Sequence, residues 1–329
     1  MAVSAPVTRP LTVLGVPGPG AEDVLVAEDG TVWTGTADGC IHAVDPEGAG
    51  TRRVVRTGGR PLGLEWLPDG RLLVCDARRG LLAVRPDDGH LEELVTEVDG
   101  VPLRFVNNAA AAEDGTIWFT DSSRRFGIEQ WEDDLMQHTC TGRLLRRSPT
   151  GHVETVLDGL AFANGVALAA DESAVYVAET ALRRVRRVGL VDGRPLAGHE
   201  PGQAGRSSAP SDGGLLCADL PGYPDNISRG SDGLVWVTVA APPDPALGML
   251  QRSPGLVRTL ARRVPQVAKP RPRRSVRVVA VDAGGTVVHD LGADAAGWHM
   301  ATGVREQDGR VWLGSLAEPA IAWLPVDAG

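Results

Sequence analysis

With 329 residues, 43% of them hydrophobic and 23% charged, the chain has a globular composition and is long enough for two ordinary domains or one large repeat-built one. A formal net charge of −9 excludes the basic surface that a nucleic-acid partner requires, and no run of about 18 apolar residues offers a membrane span. Four cysteines (Cys40, Cys75, Cys140 and Cys217) fit neither a zinc-ligand spacing nor a disulfide scaffold, and residues 1–20 lack a signal-peptide core. The expectation is a reduced, cytoplasmic protein.

The first predicted element is an apolar strand, Leu11–Val16. After it a phrase recurs along the chain: Asp-Gly, a spacer, then apolar residues that usually include Trp. It occurs at Asp29-Gly30, Asp69-Gly70, Asp114-Gly115, Asp232-Gly233 and Asp308-Gly309, with a looser copy from Asp171 to Tyr176. Asp-Gly between two β-patterned runs marks a tight hairpin, because glycine accepts the positive φ of the turn. Third strands follow at Cys40–Val44, Leu81–Val84, Arg143–Arg147, Arg184–Val188, Arg277–Val281 and Ile321–Pro325. Runs such as Val153–Leu157 and Thr286–His289 supply outer strands.

Six copies of a four-stranded unit, with starts 40 to 76 residues apart, predict an all-β, six-bladed β-propeller of antiparallel blades around a central channel. A ring must close or expose strand edges, and Leu11–Val16 is placed to complete the last blade. The whole chain, 1–329, reads as one propeller domain. Two insertions, about 122–141 and 245–275, are candidate caps over one face. The first carries Trp131 and His138, with a helix expected around Trp131–Gln137. The second has helical spacing from Pro245 to Pro265. The Arg-rich stretch Arg262–Arg277, broken by prolines, reads as an exposed loop.

Counting back seven residues from each turn Asp reaches the entrance of each inner strand, at Glu22, Leu62, Asn107, Asn164, Asp225 and Ala301. Four of these six equivalent positions carry an oxygen ligand type, and a ring of strands brings them toward one axis. Unpaired carboxylates there would repel and be desolvated. A hard divalent cation resolves both problems, and the mixed set of carboxylate and amide oxygens suits Ca2+ better than magnesium.

Several segments are similar to those of the strictosidine synthase-like proteins: Phe105-Val-Asn-Asn108, Asp114 to Ser123, Gly142 to Leu145, Phe162-Ala-Asn-Gly165, Leu220 to Ile227 and Gly309 to Leu316. That group resembles the gluconolactonases and paraoxonases, six-bladed propellers with a channel cation. The resemblance implies metal ligands at Glu22, Asn107, Asn164 and Asp225, with Asn108 and Asn226 as further candidates. The chain departs from strictosidine synthase on the sixth inner strand. Thr302 stands where that enzyme's catalytic glutamate is expected, and this points away from amine–aldehyde condensation.

The expected activity is therefore a calcium-dependent hydrolase, a lactonase or esterase, with a small-molecule substrate. Asp225 is the candidate base or nucleophile, and His299 or His138 a candidate proton shuttle at the pocket mouth. A condensing or cyclising enzyme and a non-catalytic ligand-binding propeller remain as other readings. Neither a Gly-x-Ser-x-Gly elbow nor a phosphate loop is present.

Overall fold

The computed structural model describes residues 5–47, 50–196, 214–262, 264 and 272–327. Each Asp-Gly phrase forms a turn in which glycine holds a positive φ, as at Gly30 (85°) and Gly233 (78°). In the looser copy Glu172 takes that conformation instead, at φ 53°. In the first five turns the Asp accepts a hydrogen bond from the backbone two residues on, as Asp29 does from Thr31 (2.9 Å) and Asp114 from Thr116 (2.7 Å).

These turns link the inner and second strands of six antiparallel blades. Blade 1 comprises 25–26, 32–35, 40–44 and 51–56, blade 2 comprises 61–66, 72–76, 80–84 and 91–95, and blade 3 comprises 106–111, 117–121, 142–147 and 153–160. Blade 4 comprises 163–168, 174–179 and 184–191 with short outer pieces at 194–195 and 215–217, and blade 5 comprises 223–229, 235–241, 276–281 and 287–293. Blade 6 comprises 301–307, 310–315 and 320–325 and is completed by Thr12–Gly15, which pairs Thr12 with Trp323 and Gly15 with Ala320. The six-bladed ring closed by an N-terminal strand is thus the observed fold.

A large residue four places after each turn Asp, or five in the looser copy that begins at Asp171, explains how the blades adhere. Trp33 packs with blade 2, Leu73 with blade 3, Trp118 with blade 4, Tyr176 with blade 5, Trp236 with blade 6, and Trp312 with blade 1. One large side chain per repeat therefore seals each of the six interfaces, and burial of this kind supplies roughly 1.5–3 kcal/mol per side chain.

The closing segment does more than the sequence predicted. Val7–Thr8 first pairs in parallel with the outer strand of blade 5, and Arg9 donates to the Val326 carbonyl at 2.9 Å. Residues 7–15 therefore tie blade 5 to blade 6 before completing the latter.

Both insertions leave the fold at the same topological place, between the second and third strands of their blades, and so on the same face. Helix α1 (Trp131–Gln137) occupies the predicted span. The helical pattern from Pro245 divides into α2 (Pro245–Arg252) and α3 (Gly255–Ala261), because Pro254 cannot donate to a continuing ladder. Asp244 caps α2 by accepting from Ala246 N at 2.7 Å. The insertions meet: Gln251 donates to the Leu135 carbonyl (3.0 Å) and Arg262 pairs with Asp133 (3.1 Å). Residues 263 and 265–271 of the second insertion, half of the predicted basic stretch, lie outside the described residues. Among the described residues no helix is long and apolar enough to cross a membrane.

Removal of residues 1–15 would expose the edge of strand 320–325 and unpair the outer edge of blade 5. A lower melting midpoint with concentration-dependent association in light scattering is the expected outcome. An unchanged midpoint and a monodisperse monomer would contradict the closure described here.

Candidate channel site

The inner strands converge on the axis, and in five of the six blades the residue seven before the turn faces it. In blade 6 the register is displaced by one, so that Ala301 packs in the core between blades and Thr302 takes the lining position. Glu22, Leu62, Asn107, Asn164 and Asp225 line one cavity of about 220 Å³, with Met300 and Thr302 contributing from blade 6. Glu22, Asn107 and Asn164 are buried at its base. Asp225 is partly open to it. The walls are largely apolar, formed by Phe105, Phe162, Ile128, Trp131, Leu135 and Tyr223 among others. Phe105 and Phe162 meet edge to face, with ring centroids 5.6 Å apart.

Two hydroxyl relays set the direction of the asparagine amides. Ser122 Oγ donates to the Ala163 carbonyl at 2.6 Å and accepts from Asn107 Nδ2 at 3.0 Å. Thr180 Oγ1 donates to the Pro224 carbonyl at 2.8 Å and accepts from Asn164 Nδ2 at 3.2 Å. A carbonyl can only accept, so each hydroxyl proton is committed and each hydroxyl must receive from the amide nitrogen. The amide oxygens are thereby turned the other way.

Asn107 Oδ1, Asn164 Oδ1 and Glu22 Oε2 are all buried without a hydrogen-bond partner, as is Asn226 Oδ1 beside them. Buried acceptors are normally satisfied, and oxygen atoms with no facing donor are the donor set that a hard cation takes. The residues present therefore fit a calcium-type ion, which Glu22, Asn107, Asn164 and Asp225 would hold.

The residues six before the turns in blades 1 and 3 have a different task, and Thr302 in blade 6 makes a comparable bond from the cavity lining. Asp23 Oδ2 accepts from Leu64 N and Asn108 Oδ1 from Val166 N, both at 2.9 Å, while Thr302 Oγ1 donates to the Glu22 carbonyl at 2.7 Å. Each clips its inner strand to the next blade. Asn108, a further ligand candidate from the sequence, thus has its oxygen occupied. Asn226 directs Nδ2 to Glu22 Oε1 at 3.3 Å and does not line the cavity.

The two histidines are not brought to the cavity. His299 Nδ1 pairs with Glu318, and its neighbour Met300 supplies the lining side chain. His138 ends α1 in the left-handed conformation (φ 48°), half-buried and off the lining. Neither position supports the shuttle expected from sequence. The role of the hydroxyls was missed, although a signal existed. Four residues after the blade-sealing side chain the six repeats carry Ala37, Ala77, Ser122, Thr180, Ala240 and Leu316, so hydroxyls occur in the two asparagine blades alone. Arg60 was also missed. It is buried, donates to the Gly20 carbonyl at 3.0 Å, and its charge partly offsets that of Glu22.

Burial drives the electrostatics. It raises the Glu22 carboxyl well above its usual range, with Asp23 and Asp225 adding to the effect. Burial likewise moves Asp225 to about 7, opposed by a hydrogen bond from Asn164, and Asp23 to about 6.

This arrangement defines a six-bladed propeller whose channel gathers oxygen acceptors beneath an apolar cavity. The chain belongs to the SMP-30/gluconolactonase/LRE-like family, whose model matches residues 24–243. It is 32% identical over 320 residues to an adipocyte plasma membrane-associated protein of Salmo salar, covering 89% of this chain and 72% of that one. A strictosidine synthase-like protein of Arabidopsis thaliana is 30% identical over 293 residues, covering 86% and 73%. Among solved structures, a gluconolactonase from Xanthomonas campestris superposes with a TM-score of 0.67 at 18% identity, over 96% of this chain and 89% of that one. Regucalcin from Agrobacterium tumefaciens, a calcium-binding protein, gives 0.66 at 13%, over 98% and 96%. The superfamily expected from the sequence motifs is therefore the one found.

The raised carboxyls carry a pH dependence with a defined sign. In cation-free protein the folded state holds protons that the unfolded chain has released, so stability is full below the ordinary carboxylate range and falls as pH rises through about 7. A bound cation must displace those protons and binds better as pH rises. Thermal melts with chelator and with calcium should show a larger calcium-induced shift at pH 8 than at pH 5. Equal shifts at both would contradict these assignments.

Proposed function

We propose that the protein is a calcium-dependent hydrolase of the gluconolactonase type, acting on the lactone or ester of a small organic molecule. The observation that carries this reading is the set of buried, donor-free oxygens of Glu22, Asn107 and Asn164 at the base of the substrate-sized cavity. When bound there, the cation would polarise a carbonyl and stabilise the negative charge that develops on it.

The chain's own residues divide the remaining tasks. Asp225 faces the cavity and is the carboxylate able to take a proton from water or to attack directly. Glu22 lies deeper and is 3% exposed, as befits an anchor for the ion. Phe105, Phe162, Trp131, Leu135 and Tyr223 exclude water and hold an apolar acyl or aryl body rather than a sugar. The names of the plant relatives point instead to a condensing enzyme. The sixth inner strand gives that reading no support, since Thr302 presents a hydroxyl already given to the Glu22 carbonyl.

Replacement of the two carboxylates separates their roles. Asp225→Asn keeps an oxygen and the side-chain volume, so the ion should stay bound while hydrolysis falls by about 10²–10⁴-fold, the usual worth of a general base. Glu22→Gln should lose metal first and regain activity in excess calcium. Metal content and turnover of an aryl ester and a lactone panel across a calcium titration are the measurements. Full rescue of Asp225→Asn by calcium, with Glu22→Gln remaining inactive, would reverse the assignment. Absence of turnover by the wild type with calcium bound would leave a binding propeller.

A further inference from the structure

A second constellation lies on blade 1, away from the cavity. Along strand 40–44 the side chains alternate: Ile41 and Ala43 pack toward blade 2 with Leu64 and Leu72, and Val44 packs toward blade 6 with Trp312 and Ile321. Cys40 and His42 share the face of Val44. The turn that precedes the strand adds Asp38. This turn is the blade 1 counterpart of the connections that carry the insertions in blades 3 and 5, so the cluster sits at the rim of the same propeller face. None of its three residues lines the channel cavity.

The three side chains offer a carboxylate oxygen, a thiol sulfur and an imidazole nitrogen, all within 4.8 Å of one another. Cys40 Sγ is 3.4 Å from Asp38 Oδ2, and Thr36 Oγ1 steadies the other carboxylate oxygen at 2.6 Å. His42 is the unexplained member. It is 3% exposed, and neither Nδ1 nor Nε2 has a hydrogen-bond partner. A neutral imidazole carries one donor and one acceptor, and burying both unmatched is a cost that a ligand on one nitrogen would reduce.

We propose that Asp38, Cys40 and His42 form a second metal site, selective for a borderline-soft divalent ion of the zinc type, with a fourth position open to water. Sulfur and imidazole nitrogen are ligands that calcium avoids and zinc prefers. Burial already keeps His42 in the neutral form that coordinates. Cys40 is held as a thiol by burial and by Asp38, and it would release its proton to solvent as the metal–sulfur bond forms. Asp38 is exposed and provides the entry. The loop above it approaches so closely that a Cβ at Gly18 would stand 3.2 Å from Asp38 Oδ1 and from Thr36. The Asp-x-Cys-x-His spacing matches no multi-cysteine zinc signature, because adjacent positions of one strand face supply two ligands and the turn supplies the third.

The proposal is independent of the channel reading and is tested with cobalt as a spectroscopic stand-in for zinc. Chelator-stripped protein, resupplied with calcium, is titrated with Co2+. The wild type should develop thiolate-to-cobalt charge-transfer absorption in the near ultraviolet, saturating at one ion per chain and bleached by zinc. Cys40→Ser should abolish that band, and His42→Asn should weaken cobalt binding at least about tenfold, the lower bound for disturbing a metal site. Cys140→Ser, at a half-buried thiol outside the cluster, should leave the band intact. The wild-type spectrum needs no variant to fold, so lack of a sulfur band there overturns the site, as does persistence of the band in Cys40→Ser.

Discussion

The channel rests on one physical constraint: an amide whose nitrogen is claimed by a neighbouring hydroxyl must present its oxygen in the opposite direction. Ser122 and Thr180 each spend their proton on a backbone carbonyl of the next inner strand and so can only accept from Asn107 and Asn164. The same two bonds stitch blade 3 to blade 4 and blade 4 to blade 5. Ring assembly and site polarity are therefore one network, and a change in blade packing would alter where the amide oxygens point.

Why the acceptors collect at the axis follows from the strands' pleat. Adjacent residues of an inner strand point in different directions. At the entrance of each strand one residue looks into the channel while the next reaches the neighbouring blade. Asp23 and Asn108 use their polar atoms to clip that neighbour, whereas Thr302 lines the cavity and bonds the Glu22 carbonyl from there. In blades 2 and 4 the corresponding residues are Gly63 and Gly165, where the next backbone comes so near that a Cβ would lie 2.7 Å from Asn108 Cα or 2.2 Å from Ile227 N. With their neighbours committed to holding the ring, the channel-facing Glu22, Asn107, Asn164 and Asp225 are left for chemistry.

Much of this was legible in the amino-acid order. The Asp-Gly turns mark hairpins because few other dipeptides accept the required φ, and they set six blades, the closing strand and the seven-residue offset together. Helix α1 was legible from its own pattern. Less visible were features made by distant segments. The apolar cavity walls combine α1, α2 and inner-strand flanks from several blades, and nothing local announces that they meet. The pairing of Val7–Thr8 with blade 5 involves two residues, too few to leave a pattern. His299 looked available because its position along the strand is near the mouth, yet Glu318, 19 residues later, takes it. The hydroxyl relay lay in plain view as a repeat-specific substitution and needed the bonding partners to acquire meaning.

The most direct measurement is the electron density of crystals grown with calcium. One ion is expected in the channel, about 2.3–2.6 Å from side-chain oxygens of Glu22, Asn107, Asn164 and Asp225, with the amide nitrogens of both asparagines still bonded to Ser122 and Thr180. Density for water alone at saturating calcium, or an amide nitrogen turned to the axis, would contradict a cation site in this channel.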